Sequence, residues 1–289
     1  MDGVIIKAYG GFYFVRAEDK VLECAIRGKI RRQRGQVLVG DRVRLRSVND
    51  AQGVVEDILP RGTELVRPPI ANVEQSVIVF AIGNPEPNPS LLDRFLVQSQ
   101  VAGITPVICF NKNDLFDEAE PNIVNRYRKT GHTVLLASAK TGACIDELRE
   151  VLKGRVTVLA GPSGVGKSSL LNALQPGLSL KTGDISNKLK RGKHTTRHVE
   201  LIPLAGGGLV ADTPGFSSMH LPSMRREELA GYFIEFAEHE ERCRFAGCLH
   251  YREPGCAVKD AVERGRIAEL RYRNYLDFLK EVMEAERRY

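Results

Sequence analysis

No apolar run among the 289 residues approaches the roughly 20 needed to cross a bilayer, which excludes a helical membrane span. The opening stretch, MDGVIIKAYGGFYFV, lacks a basic start, a long apolar core and a small-residue cleavage site, so no secretory leader is expected. There is no internal repeat and no low-complexity tract, which removes solenoids and disordered arrays. These absences point to the cytoplasm, a compartment where disulfides are rare. Cysteine is sparse, with six in the chain. Cys24, Cys109 and Cys144 are scattered, while Cys243, Cys248 and Cys256 crowd together, and that cluster reads as metal or reactive chemistry.

Hydrophobic residues make up 43% of the chain and charged residues 27%, enough for packed cores with a charged surface. The length accommodates one large domain or two to three smaller ones. A net charge of +6 permits an anionic partner without demanding one. Between Arg27 and Arg46 eight basic residues stand against the single acid Asp41. Such a block raises the local potential and attracts phosphates, unless it is simply a solvated face.

Three patterns follow one another. Residues 1–65 carry short β-like runs broken by glycine and charge, at roughly the 8–12-residue spacing of a small barrel. An oligonucleotide/oligosaccharide-binding (OB) barrel fits, and an SH3-like barrel fits nearly as well. PRGTELVRPP (60–69) reads as a Pro-punctuated linker. From about 70, apolar strands alternate with helices: strands over 76–82, 106–110, 133–138 and 155–160, helices over 90–103, near 118–130 and near 145–153. That alternation predicts a parallel α/β sheet over 70–217. Residues 218–289 are charged and of helical period.

GPSGVGKS (161–168) follows the strand RVTVLA and precedes the helix SSLLNAL. Its glycines let backbone N–H groups turn inward around a phosphate at a helix N-terminus. The cradle comprises Gly161, Pro162, Ser163, Gly164, Val165, Gly166, Lys167, Ser168 and Ser169. Lys167 is expected on the β- and γ-phosphates, and the Ser168 hydroxyl on Mg²⁺. DTPG (212–215) ends a second strand, where Asp212 can hold the Mg²⁺ through water and the Gly215 N–H can meet a γ-phosphate.

NKND (111–114) has the chemistry of a guanine reader. Asp114 can accept from the ring N–H and the exocyclic amine, Asn111 can brace neighbouring loops, and Lys112 can lay its stem over the base. Ser138, Ala139 and Lys140 follow another strand and offer a backbone N–H to the guanine oxygen. Adenine presents no matching donor pair, so the selection is for GTP and GDP. The order is unusual, with the base readers ahead of the phosphate loop. Ligands in open α/β sheets lie beyond the carboxyl ends of the strands, so order along the chain is immaterial if those ends meet. A circular permutation gives this arrangement.

That permuted order resembles the ribosome small-subunit-dependent GTPase A family (RsgA, also called YjeQ or YloQ). The resemblance spans the whole chain and implies an OB barrel over 1–65, a permuted GTPase over 70–217 and a zinc domain over 218–289. It also implies late maturation of the small ribosomal subunit, with its rRNA as partner. A monomer is expected. RGKHTTR (191–197) takes the switch position, where Thr195 or Thr196, preferably Thr196, would ligate Mg²⁺. The basic stretch 181–198 is either a solvated loop or an RNA contact, and the resemblance favours RNA. Phe216 stands where many GTPases place a water-orienting glutamine, so intrinsic hydrolysis should be slow and partner-stimulated. His220 is an in-chain substitute or a structural histidine. Cys243, Cys248, His250 and Cys256 form a closed set for one structural Zn²⁺, similar in type and spacing to the family motif. Two rival readings remain: an RNA-binding protein with a structural guanine nucleotide, which Phe216 favours, and an ATP-using enzyme, which NKND opposes.

Overall fold

A computed structural model describes residues 1–28, 30, 36–66, 68–116, 122–175, 177, 199–212 and 220–287. Five strands form the N-terminal barrel: β1 (Asp2–Tyr9), β2 (Phe12–Ala17), β3 (Lys20–Ile26), β4 (Arg42–Ser47) and β5 (Gln52–Ile58). They close in the order β1-β2-β3-β5-β4, with β3 and β5 parallel and the other pairs antiparallel. This Greek-key order is that of an OB barrel, which decides between the two barrels the sequence allowed. Alternation drives closure: Val43 and Leu45 of β4 point inward beside Ile5, Val15, Leu22 and Val55.

The outward residues of β4 qualify the expected basic face. Arg42 lies 3.0 Å from Glu74, Arg44 3.8 Å from Asp2 and Arg46 3.3 Å from Glu56. Counting charges along the segment 27–46 misses these acids because they arrive from elsewhere in the chain. Of the remainder of the block, Arg27 is exposed, and 29, 31, 32 and 34 lie outside the described residues.

The expected linker instead contains a small hairpin, β6 (Glu64–Val66) against β7 (Pro69–Ala71). Leu65 and Ile70 pair across it and both are buried, and Pro69 opens its strand, where no ladder N–H is required. Beside it, Asp41 is fully buried and accepts from Arg61 Nε (2.7 Å), Arg61 Nη2 (2.9 Å) and the Leu38 N–H (2.8 Å). Ile6 and Val39 join the same apolar cluster as Ile70, Phe80 and Phe95, so the barrel shares a core with the next unit.

That unit is a six-stranded sheet in the order β10-β9-β8-β11-β13-β12. Its strands are β8 (Gln75–Ala81), β9 (Thr105–Asn111), β10 (Thr133–Leu136), β11 (Val156–Ala160), β12 (Leu201–Pro203) and β13 (Leu209–Asp212). All pairs are parallel except β12 with β13. Every residue of β8 is buried: Val77–Ala81 are apolar, and Gln75 and Ser76 hydrogen-bond to Thr157 and Ser99. Helices α1 (Pro89–Val101) and α2 (Asn122–Arg128) cover one face, and α3 (Ile145–Leu152) and α4 (Lys167–Leu174) the other. The Asn88 side chain caps α1 by accepting from the Leu91 N–H (3.1 Å). The helix expected near 118–130 is described only from residue 122 onward.

The C-terminal unit has 3₁₀ turns over Leu229–Tyr232 and Ile234–Phe236, then α5 (Ala237–Glu240), α6 (Ala257–Glu263) and α7 (Glu269–Glu286). Phe233, Phe236, Tyr275 and Phe278 form its core, with Val97 of α1 inserted. Between α1 and α7 lies a buried charge network. Arg271 Nη1 donates to Asp93 (2.6 Å), and Arg271 Nε and Nη2 donate to both oxygens of Glu235 (2.7 and 2.9 Å). Tyr127 and Asn274 also donate to Asp93, each at 2.5 Å, and Asp93 and Arg271 are almost wholly buried. Burial opposes the guanidinium charge, yet the two carboxylates outweigh it and hold its pKa above the ordinary arginine value.

Candidate functional site

The motif-bearing loops leave neighbouring strands at one edge of the sheet. NKND begins at the end of β9, Ser138–Lys140 follow β10, the phosphate-type loop follows β11, and Asp212 ends β13. Sheet order therefore places the two loops expected to read a base together, with the glycine loop beyond them and Asp212 on its far side.

Close approach explains two glycines. Gly161 has φ 128°, and a Cβ there would lie 2.1 Å from the Val79 carbonyl oxygen. Gly166 has φ 93°, and its Cβ would stand 2.3 Å from Asn111 Nδ2. Both clashes would push the loop off the sheet. Past Gly166, Asn111 Nδ2 donates to the Val165 carbonyl (2.8 Å), while Asn111 Oδ1 accepts from the Ala139 N–H (3.1 Å). One buried amide thus ties three loops together, the bracing role expected of it. Lys167 Nζ donates to the carbonyls of Gly161 (2.8 Å) and Pro162 (2.7 Å), so the ammonium sits over its own loop. Ser168 is buried in the first turn of α4, Pro162 and Ser169 are half-buried, and Ser163 and Gly164 face solvent.

Asp114 is fixed by its neighbours. Ser138 Oγ donates to its Oδ1 (2.5 Å) and Lys140 Nζ lies 3.7 Å from its Oδ2. The Ser138 hydrogen bond is the main influence holding the carboxyl below its usual pKa, so it is ionised at neutral pH. Ser138 Oγ in turn accepts from the N–H groups of Lys140 and Thr141. Lys112, with φ 67°, donates to the carbonyls of Gly164 (2.8 Å) and Asn84. Asn84 was missed in the sequence. Its signal was GNPEPNP at the carboxyl end of the buried strand β8, between two recognised loops.

Several expected residues are not placed here. Thr195, Thr196, Gly215, Phe216 and the stretch 181–198 lie outside the described residues, as does the side chain of Asp212. The His220 carbonyl accepts from Gln98 Nε2 (2.9 Å), and the Leu221 N–H donates to Glu281 (3.3 Å). Gln98 sits about 13 Å along α1 from the end nearest the loops. His220 is thus docked between α1 and the C-terminal unit.

The four candidate metal ligands converge. Donor atoms of Cys243, Cys248, His250 and Cys256 lie within 4.8 Å of one another. His250 Nδ1 is 3.6 Å from Cys243 Sγ and 3.4 Å from Cys256 Sγ, and the Cys243 and Cys256 sulfurs are 3.9 Å apart. A tetrahedron with bonds of about 2.0–2.3 Å has edges of roughly 3.3–3.8 Å, so the donor set fits zinc. Burial pushes the Cys248 thiol up to about 12 and raises Cys256 as well. A dication is what would make such sulfurs thiolates. The frame is built elsewhere: the Tyr272 hydroxyl donates to the His250 carbonyl (2.7 Å), the Tyr275 hydroxyl to that of Leu249 (2.6 Å), and Glu253 accepts from the Leu249 and Tyr251 N–H groups.

A family model described as RsgA GTPase matches residues 58–222, and one described as RsgA N-terminal domain matches residues 2–55. The chain belongs to the RsgA GTPase family. Among its RsgA relatives, the small ribosomal subunit biogenesis GTPase of Moorella thermoacetica is 52% identical over 287 residues, covering 99% of both chains. That of Geobacillus thermodenitrificans is 52% identical over 292 residues, covering 100% of this chain and 99% of the relative. The RsgA-type fold is likewise found in solved structures. YjeQ from Thermotoga maritima superposes with a TM-score of 0.82 at 38% identity, covering 98% of each chain. YloQ, a circularly permuted GTPase, gives 0.83 at 41% identity, covering 98% of this chain and 95% of that one. Among the described residues no helix is long and apolar enough to cross a membrane.

Proposed function

We propose that this RsgA-family chain binds guanine nucleotide at the loop edge of its central sheet, hydrolyses GTP to GDP and phosphate, and serves small ribosomal subunit biogenesis in the cytoplasm. The observation that carries this reading is the Asn111 bridge, which joins the base-reading loops to the glycine loop. In it, Asp114 accepts from the guanine ring N–H and amine, the Ser138–Lys140 backbone meets the guanine oxygen, and Lys112 flanks the base. Gly161 to Ser169 cradle the phosphates. Lys167, which now holds loop carbonyls, exchanges those hydrogen bonds for β- and γ-phosphate oxygens. Mg²⁺, where bound, would neutralise charge developing on the phosphates, with Ser168 and Thr196 as protein ligands and Asp212 acting through water. Gly215 is assigned to the γ-phosphate.

Phe216 offers no hydrogen bond to water, so a partner must complete the catalytic arrangement. The monomer divides into three units, 1–65, 70–217 and 218–289, with the outer two holding rRNA. GTP turnover is measured with and without purified small subunits. Stimulation of tenfold or more is expected, and equal rates would favour the rival in which guanine nucleotide is a structural ligand.

Elemental analysis should find one zinc per chain, held by Cys243, Cys248, His250 and Cys256. Stripping it with a chelator is expected to lower the thermal midpoint of the C-terminal unit while guanine nucleotide binding persists, because the loops of that site rest on a different core. A metal-free chain with an unchanged melting profile would refute the assignment.

A further inference from the structure

Exposed arginines differ in their partners. Those of β4 face carboxylates. Arg242, Arg244 and Arg252, all exposed around the cysteine cluster, have no carboxylate partner among the described residues. The single acid between Cys243 and Cys256, Glu253, is occupied by the Leu249 and Tyr251 N–H groups (3.0 and 2.9 Å). The other acids near in the chain, Glu238, Glu240 and Glu241, precede the segment, and Glu240 lies 3.9 Å from His250 rather than against one of these arginines.

Within it stands Phe245, 45% exposed, between the ligand candidates Cys243 and Cys248. The Arg244 guanidinium lies 5.5 Å from its ring centroid, and that of Arg252 lies 4.9 Å from the Tyr251 ring. The backbone beneath is tied down: the Arg244 N–H donates to the Gly255 carbonyl (3.0 Å) and the Cys243 N–H to that of Glu240 (3.0 Å). A single exposed apolar residue is ordinary. An exposed aromatic ring on a fixed loop, in a segment whose Arg244 and Arg252 form no ion pair among the described residues, matches what an unpaired nucleotide needs. The base stacks on a flat π-face and the phosphates on either side meet cations.

We propose that Phe245 is a stacking platform for one unpaired base of an RNA, with Arg244 and Arg252 engaging its flanking phosphates. This rests on the reading of the small ribosomal subunit as partner, and adds the chemical form of the contact. It also moves the locus of charge recognition from the β4 stripe, where the cations are paired, to the cysteine loop.

The test is co-sedimentation of the full, zinc-loaded chain with purified small subunits in a non-hydrolysable GTP analogue. Phe245→Ala is expected to weaken binding roughly 5- to 150-fold, the range set by losing one stacked base. Phe245→Trp should restore it. Phe245→Leu, which keeps apolar bulk without a flat π-face, should remain weak. Arg244→Ala and Arg252→Ala should each reduce the slope of log affinity against log salt by about 0.7–1. Zinc content and subunit-free GTP turnover should be unchanged in every variant. Wild-type affinity in Phe245→Ala overturns the proposal, and so does full recovery in Phe245→Leu, which marks a protein contact. Failure of the wild-type chain to sediment with the subunit instead removes the functional reading on which the proposal stands.

Discussion

Asp114→Asn is expected to weaken GTP binding by roughly 10²–10⁴-fold, since hydrogen bonds to a charged group contribute about 1.5–3 kcal/mol each and two are at stake. The carboxylate is ionised and oriented before any base arrives, because Ser138 donates to one oxygen and Lys140 lies near the other. Guanine's ring N–H and amine both donate, and an amide can accept from one of them only. Xanthine presents a ring N–H beside a carbonyl oxygen, the pair that an asparagine amide satisfies. Xanthosine triphosphate should therefore bind the variant better than GTP. Fluorescent-nucleotide titration of both triphosphates decides it, and an unchanged GTP affinity would mean that Asp114 does not read the base.

Arg271→Ala is expected to destabilise the chain by about 3–5 kcal/mol, the range for removing one partner of a buried ion pair. The Asp93 carboxylate, fully buried, would keep only the Tyr127 and Asn274 donors, and Glu235 would lose both of its contacts to the guanidinium. For a domain of this size the thermal midpoint should fall by on the order of 10 °C. Adding Asp93→Asn should recover part of the loss, because the orphaned charge goes with it. A single variant that melts within a degree of the wild type would show that the network does not hold α1 to α7.

The parts of the candidate site were legible because each carries a constraint that is local in sequence. GPSGVGKS needs its glycines where the loop meets Val79 and Asn111, and those demands appear as fixed spacings. The cysteine and histidine spacing was similarly readable, since ligands only a few residues apart can converge on one point. The Ser138 contact with Asp114 and the Asn84 carbonyl beneath Lys112 link residues far apart in the chain and leave no spacing signature. The β4 arginines show the same limit, with partners from strand β1, strand β5 and the start of the central sheet.

Hydrophobic period and turn residues sufficed for a β unit, an alternating α/β unit and a helical tail, because burial on one face leaves its period in the chain. Motif chemistry sufficed for guanine and for the inference of permuted order. Tertiary structure decided which barrel closes, that Asn111 couples the Ser138–Lys140 and glycine loops to its own, that Asp93 and Arg271 join two units, and which arginines are left without acids. Those four depend on which distant residues meet. Hydrogen bonds and ion pairs act over a few ångströms of space whatever the separation along the chain, so only the folded arrangement reveals them.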